Sequence, residues 1–149
     1  MIERTKDINL INDTVMLMFD DVVEDGTIKD CFNLDVEADC WLKCTDKGVF
    51  VGLFKLSPFN RTVLDMHCYI LKDKRNKSSK YGKEALLWVK DEAPEMYSKI
   101  ITQTPFVHIK KWLLSLGFEL EGCYKKSFTK RNKILDLSLF GLSREDICQ

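Results

Sequence analysis

Leu64-Asp65-Met66-His67-Cys68-Tyr69-Ile70-Leu71, followed at once by Lys72-Asp73-Lys74-Arg75-Asn76-Lys77-Ser78-Ser79-Lys80-Tyr81-Gly82-Lys83, is the stretch whose reading decides the fold. Its first part lies in an expected strand, Val63 to Leu71, and alternation along that strand places Asp65, His67 and Tyr69 on one face. From Gly82 to Glu92 the period changes: Ala85, Leu86, Val89 and Ala93 recur at helical spacing, and Pro94 helps to end the run. Lys99 to Gln103 is then a short apolar strand. Strand, helix, strand in this order is a βαβ unit, whose crossover makes the two strands parallel.

Upstream, Trp41 to Thr45 and Val49 to Leu56 read as two more strands. They are bounded by the turn-forming runs Asp46-Lys47-Gly48 and Ser57-Pro58-Phe59-Asn60, so with Val63 to Leu71 they form an antiparallel meander. Ile8, Ile11, Val15 and Met18 recur at steps of three and four, which predicts an amphipathic helix from Ile8 to Phe19 starting at Asp7 or Asn12. Asp20 to Glu37 is expected to be a short helix or loop. Downstream, Thr104 as N-cap, Pro105 at the first helical position, the stripe Ile109, Trp112, Leu113, Leu116 and the cap Gly117 predict a further helix. Phe118 to Phe128 and Ile134 to Leu142, joined by the basic turn Thr129 to Lys133, predict a C-terminal hairpin. The fold class is α/β (α+β): a mixed, mostly antiparallel sheet with helices on both faces and one parallel βαβ unit.

The 149 residues suit a single domain. A hydrophobic share of 45% and a charged share of 31% suit a soluble globular protein, and no apolar run approaches the roughly 20 residues that cross a bilayer. Met1 to Asp7 already carries four charged side chains, so a cytoplasmic protein is expected. Lysine and arginine (23) balance aspartate and glutamate (23), which argues against nucleic acid and membrane partners and makes any anion site local. The acids lean to Asp20, Asp21, Glu24, Asp25 and Asp30, and the bases to Lys72–Lys83 and Lys125–Lys133. The six cysteines, Cys31, Cys40, Cys44, Cys68, Cys123 and Cys148, show no Cys-x-x-Cys pair and are expected reduced. Cys40 and Cys44 near His67 outline a metal site, but buried free cysteine behaves as a small hydrophobe, and no metal is expected.

Two features carry chemistry. A loop entering a helix offers unpaired N–H groups and a positive dipole end, so Lys72 to Lys83 suits an anion such as a diphosphate; a solvated basic loop is the plain alternative. Asp65 beside His67 could take a proton from an amine, the alternative being a hydrogen-bonded structural histidine.

Taken in order over about Trp41 to Arg144, these pieces resemble the GNAT acetyltransferases, in particular a small variant often encoded by bacteriophages. Leu64–Leu71 is similar to the family's fourth strand, Ile100-Ile101-Thr102-Gln103-Thr104-Pro105 to its fifth, and Leu116-Gly117-Phe118-Glu119-Leu120-Glu121-Gly122 with Asp136 and Gly141-Leu142-Ser143-Arg144 to its C-terminal signature. The resemblance implies a sheet splayed between strands 4 and 5, with acetyl-CoA as co-substrate. It implies cofactor contacts from Cys68, Ile70 and Leu71 along the strand and from Arg75, Lys77, Ser78, Ser79, Lys80, Tyr81, Gly82 and Lys83 around the phosphates. Lys77–Gly82 matches the phosphate loop with Lys80 where its first glycine belongs; Phe106 and Leu113 stand where an asparagine and a tyrosine are usual. Asp65 and His67 inherit the base role, while Tyr69, Tyr124, His108 or water would replace the missing tyrosine. The implied activity is direct acetyl transfer to an amine, on a protein or a small molecule; homodimerisation is left open. The rival reading is a catalytically silent binding module of viral origin, in a host cytoplasm, that engages a host or virion protein.

Overall fold

The computed structural model describes residues 1–29 and 34–147. Asp30, Cys31 and Cys148, named above, lie outside the described residues. The strands are β1 (Ile2–Thr5), β2 (Cys40–Asp46), β3 (Val49–Pro58), β4 (Val63–Ile70), β5 (Lys99–Thr104), β6 (Glu119–Lys130) and β7 (Lys133–Ser143), and the helices are α1 (Ile8–Leu17), α2 (Phe19–Val22), α3 (Ser78–Glu92) and α4 (Val107–Ser115). Short 3-10 helices cover Lys72–Lys77 and Arg144–Asp146. The strands form one sheet in the order β1-β2-β3-β4-β5-β7-β6, antiparallel throughout except for β4 and β5.

Alternation along β2, β3 and β4 divides the core. Leu42, Phe54, Leu56, Leu64 and Met66 face α3 and α4, where they meet Ala85, Leu86, Val89, Leu113 and Leu116. Trp41, Leu53 and Tyr69 face the other way and bury Ile11 and Val15 of α1 and Met18 just after it. Helices therefore cover both faces, as the patterning predicts. The same parity separates the outlined metal ligands. Cys40 is level with Leu56 and Met66 on the α3 face, whereas His67 is level with Lys55 and Trp41 on the α1 face.

The crossover helix starts at Ser78, four residues before the expected Gly82. Its first turn is polar on the solvent side and so carries no apolar period, but Tyr81 and Gly82 already belong to its buried face. A Cβ at Gly82 would stand 2.7 Å from Leu116 Cδ1 and 2.8 Å from Trp112 Cζ2. The glycine lets α3 close on α4, so its missing side chain serves helix packing. At the far end, Arg144 caps α3: its guanidinium donates to the carbonyls of Lys90, Ala93, Pro94 and Tyr97 at 2.7–3.2 Å.

One other expectation is corrected, and two segments gain a definite form. Thr104 does not cap α4. It ends β5 opposite Ser138, and its Oγ1 accepts from the Phe106 N–H at 3.2 Å, so the helix begins at Val107 with Phe106 as N-cap. In Asp20–Glu37, expected as a short helix or loop, the described residues include the single-turn α2, which begins at Phe19. Ile2–Thr5 is a strand the sequence did not signal, because four residues carrying Glu3 and Arg4 hold no readable period; pairing with β2 makes it one. The Gly117 cap is as expected: φ is +94°, Phe118 N–H bonds Leu113 C=O, and Gly117 N–H bonds Leu114 C=O, which is a Schellman closure.

Candidate functional site

β4 and β5 pair over three positions only, Val63 with Lys99, Leu64 with Ile100 and Asp65 with Ile101. Beyond Asp65 the strands part. β4 stays paired to β3 as far as Ile70, while β5 turns to β7 along its whole length, from Lys99 to Thr104. The Val63 carbonyl and the Leu71 N–H both bond on the β3 side. Alternation then directs the backbone groups of Cys68 and Ile70 to the open side. The Ile70 carbonyl accepts from Arg75 Nε at 3.2 Å; the N–H groups of Cys68 and Ile70 and the Cys68 carbonyl face the fork with no paired strand among the described residues.

A cavity of about 680 Å³ occupies the fork. Cys68 and Ile70 of β4 form one wall, and the N-cap Phe106 with His108, Ile109 and Trp112 of α4 forms another. Arg75 and Ser78 stand at the front of α3, Met18, Asp21 and Val22 come from the α1–α2 side, and Lys130, Arg131, Lys133 and Leu135 come from the β6–β7 tip. Lining from both helix layers means that the opening passes through the sheet. No side chain caps the N-terminus of α3; the Ser78 N–H is taken by the Arg75 carbonyl of the preceding 3-10 turn, and the positive end of the helix dipole still favours an anion there. Trp112 Nε1 is buried without a hydrogen-bond partner among the described residues.

The sequence-named residues divide around this cavity. Cys68, Ile70, Arg75 and Ser78 line it. Lys77 and Lys80 turn the other way, onto Asp46 at the end of β2, at 3.5 and 2.8 Å. The Tyr81 hydroxyl donates to the same carboxylate at 3.1 Å. Lys80 and Tyr81 hold Asp46 down to about 2. Ser79 is exposed within the first turn of α3, Lys83 is exposed a turn further on, and Gly82 is packed under α4. Leu71 gives its N–H to Val51. Burial pushes the Cys68 thiol up to about 12.

Asp65 and His67 meet: His67 Nε2 lies 3.0 Å from Asp65 Oδ2, and both are part-exposed on the α1 face. Tyr69, one position further on that face, is packed against Trp41 with ring centroids 5.9 Å apart, and burial raises its hydroxyl to about 12. Of the groups that might replace the missing tyrosine, Tyr124 is exposed on β6 and His108 lines the cavity, stacked on Phe106 at 5.8 Å. Leu113 is buried in the core, so α4 faces the cavity with His108, Ile109 and Trp112. Asp21, Trp112 and the Lys130–Lys133 tip were not named for the cofactor by the sequence. The helical stripe of α4 could have indicated Trp112, whereas nothing local indicates Asp21 or the hairpin tip, which arrive from remote segments.

No family model matches the chain, and no curated relative does. Solved structures do match. A spermidine N-acetyltransferase from Vibrio cholerae in complex with CoA and spermine superposes with a TM-score of 0.75 at 11% identity, covering 97% of this chain and 95% of that one. A ribosomal-protein-alanine N-acetyltransferase from Brucella melitensis gives 0.70 at 20% identity, covering 96% and 99%. A GNAT-family acetyltransferase from Streptococcus pneumoniae gives 0.71 at 16%, covering 96% and 98%. The protein has the GNAT N-acetyltransferase fold, including the splayed parallel pair.

Proposed function

We propose that this chain is a single-domain, cytoplasmic, acetyl-CoA-dependent N-acetyltransferase that acts by direct attack of an amine. The carrying observation is the fork. Three paired positions fix β4 against β5, and the strands then open onto a cavity with unpaired β4 backbone on one side and the uncapped front of α3 beside it. These groups fit the co-substrate. The exposed edge at Cys68 and Ile70 matches the amides of a pantetheine arm, and Arg75 with the Ser79 and Lys80 amides matches a diphosphate. Lys77 and Lys80 add positive field from the Asp46 side, Lys83 lies a turn further out, and Tyr81 and Gly82 seat the helix.

Acetyl-CoA supplies an activated thioester carbonyl. In the tautomer that donates Nε2–H to Asp65, His67 keeps its lone pair on Nδ1, and that nitrogen takes the proton of the incoming ammonium. The C–N bond forms as the C–S bond breaks, and the thiolate takes a proton from water or from His108. Phe106, Ile109 and Trp112 exclude bulk water and hold the reactants in line, an effect worth about 7–11 kcal/mol. Tyr69 supports β4 from the core beneath this pair. The acceptor is an amine on a protein or a small molecule.

A second reading, a catalytically silent binding module of the phage type, is favoured by Lys80, which stands at the loop's glycine position with its ammonium on Asp46, and by Leu113 in place of tyrosine. Thermal melting distinguishes them: acetyl-CoA at millimolar concentration raises Tm on the enzyme reading. No shift removes the cofactor and the enzyme together. A shift with no acetylated product from a panel of polyamines, lysyl peptides and free N-termini leaves the binding module.

A further inference from the structure

We infer that Asp21 is the internal counter-ion of the diphosphate site and sets how tightly the cofactor binds; this rests on the proposal that Arg75 and the front of α3 hold that diphosphate. Asp21 belongs to α2, on the opposite side of the sheet from α3, and its side chain reaches the cavity. Its Oδ2 is 3.0 Å from Lys72 Nζ and 3.9 Å from Arg75 Nη2. It is the one carboxylate among the described cavity residues. Lys72 holds it below the usual carboxylate range, so it is ionised at neutral pH.

The arm of Arg75 is fixed by its Nε bond to the Ile70 carbonyl, and the far edge of the guanidinium points at Asp21 and Met18. A diphosphate reaching that edge meets a carboxylate already in place. It must displace Asp21 from Arg75 or lie beside a like charge, and either reduces affinity. Beyond α2 the chain is clasped to the β6–β7 tip, with Lys130 Nζ on the Val23 carbonyl at 2.7 Å and Asp25 N–H on the Thr129 carbonyl at 2.9 Å. These contacts seat the chain that follows α2 against the hairpin lining the other side of the cavity.

Calorimetric titration with CoA tests this on the full chain. Asp21→Asn tightens binding about two- to fivefold, the range of a part-exposed ion pair. Asp20→Asn, an equal charge change on a side chain 86% exposed, leaves affinity unchanged. In an Arg75→Ala background Asp21→Asn gains less, and Asp21→Glu stays near wild type. Asp21→Ser serves as the second neutral variant should the asparagine protein fold poorly. Unchanged or weaker binding by the neutral variants, or an equal gain in the Arg75→Ala background, overturns the inference while the diphosphate site stands. If no variant binds CoA, the diphosphate site falls and the inference with it.

Discussion

His67 Nε2 lies 3.0 Å from Asp65 Oδ2, and Asp65 is also the last residue of β4 to pair with β5. The pair stands at the vertex of the fork, and on the proposed mechanism an amine from the α1 side would meet there a thioester laid along β4. Asp65→Asn or His67→Gln is expected to lower kcat by about 10²- to 10⁴-fold, the usual worth of general-base help. CoA affinity, measured by calorimetry, should stay within error of wild type. An equal loss in both quantities would show that the pair supports the cleft rather than the chemistry.

Cations near the phosphate position should differ in effect because their side chains point differently. Arg75→Ala is expected to raise the CoA Kd about tenfold or more, as loss of a charge-assisted contact does. Lys77→Ala with Lys80→Ala should cost less, since both ammonium groups sit on Asp46. The reverse ranking in binding titrations would place the diphosphate on the Asp46 side of α3.

Asp46 gives the fold a pH signature. Its carboxyl is depressed from 3.8 to about 2 by Lys80 and Tyr81. The stability this adds is complete above the unfolded value and is lost as pH falls through the folded one. The Tm gap between wild type and Asp46→Asn should thus hold constant from neutral pH to about 4 and narrow toward pH 2. A gap that persists undiminished at pH 2 would mean that packing carries it.

Gly82→Ala sets two terms against each other. Alanine favours a helix by about 1 kcal/mol, while overpacking a closed interface costs about 1–3 kcal/mol. Trp112 Cζ2 at 2.8 Å from the added carbon belongs to a rigid ring, so the clash prevails and urea unfolding should show a net loss of up to about 2 kcal/mol. A stabilised variant would mean that α3 and α4 part easily.

Arg144→Ala removes the cap on α3, where five donor contacts meet four carbonyls. The expected loss is about 2–4 kcal/mol by the same measurement, because the freed carbonyls lose charge-assisted partners. A loss below about 0.5 kcal/mol, the level of an ordinary surface change, would assign those carbonyls to water.

Local pattern determined much of this protein. Alternation at Asp65, His67 and Tyr69, the helical stripe through Val89, the Gly117 cap and the two hairpins follow from side-chain period and turn chemistry, which each segment carries alone. The tertiary structure decided the rest. It placed Lys80 on Asp46 from 34 residues away, brought Asp21 to Arg75, packed Gly82 against Leu116 and Trp112, and made Ile2–Thr5 a strand. Each of these depends on which remote group shares the space, and a side-chain period records the face a residue turns inward without recording what meets it there.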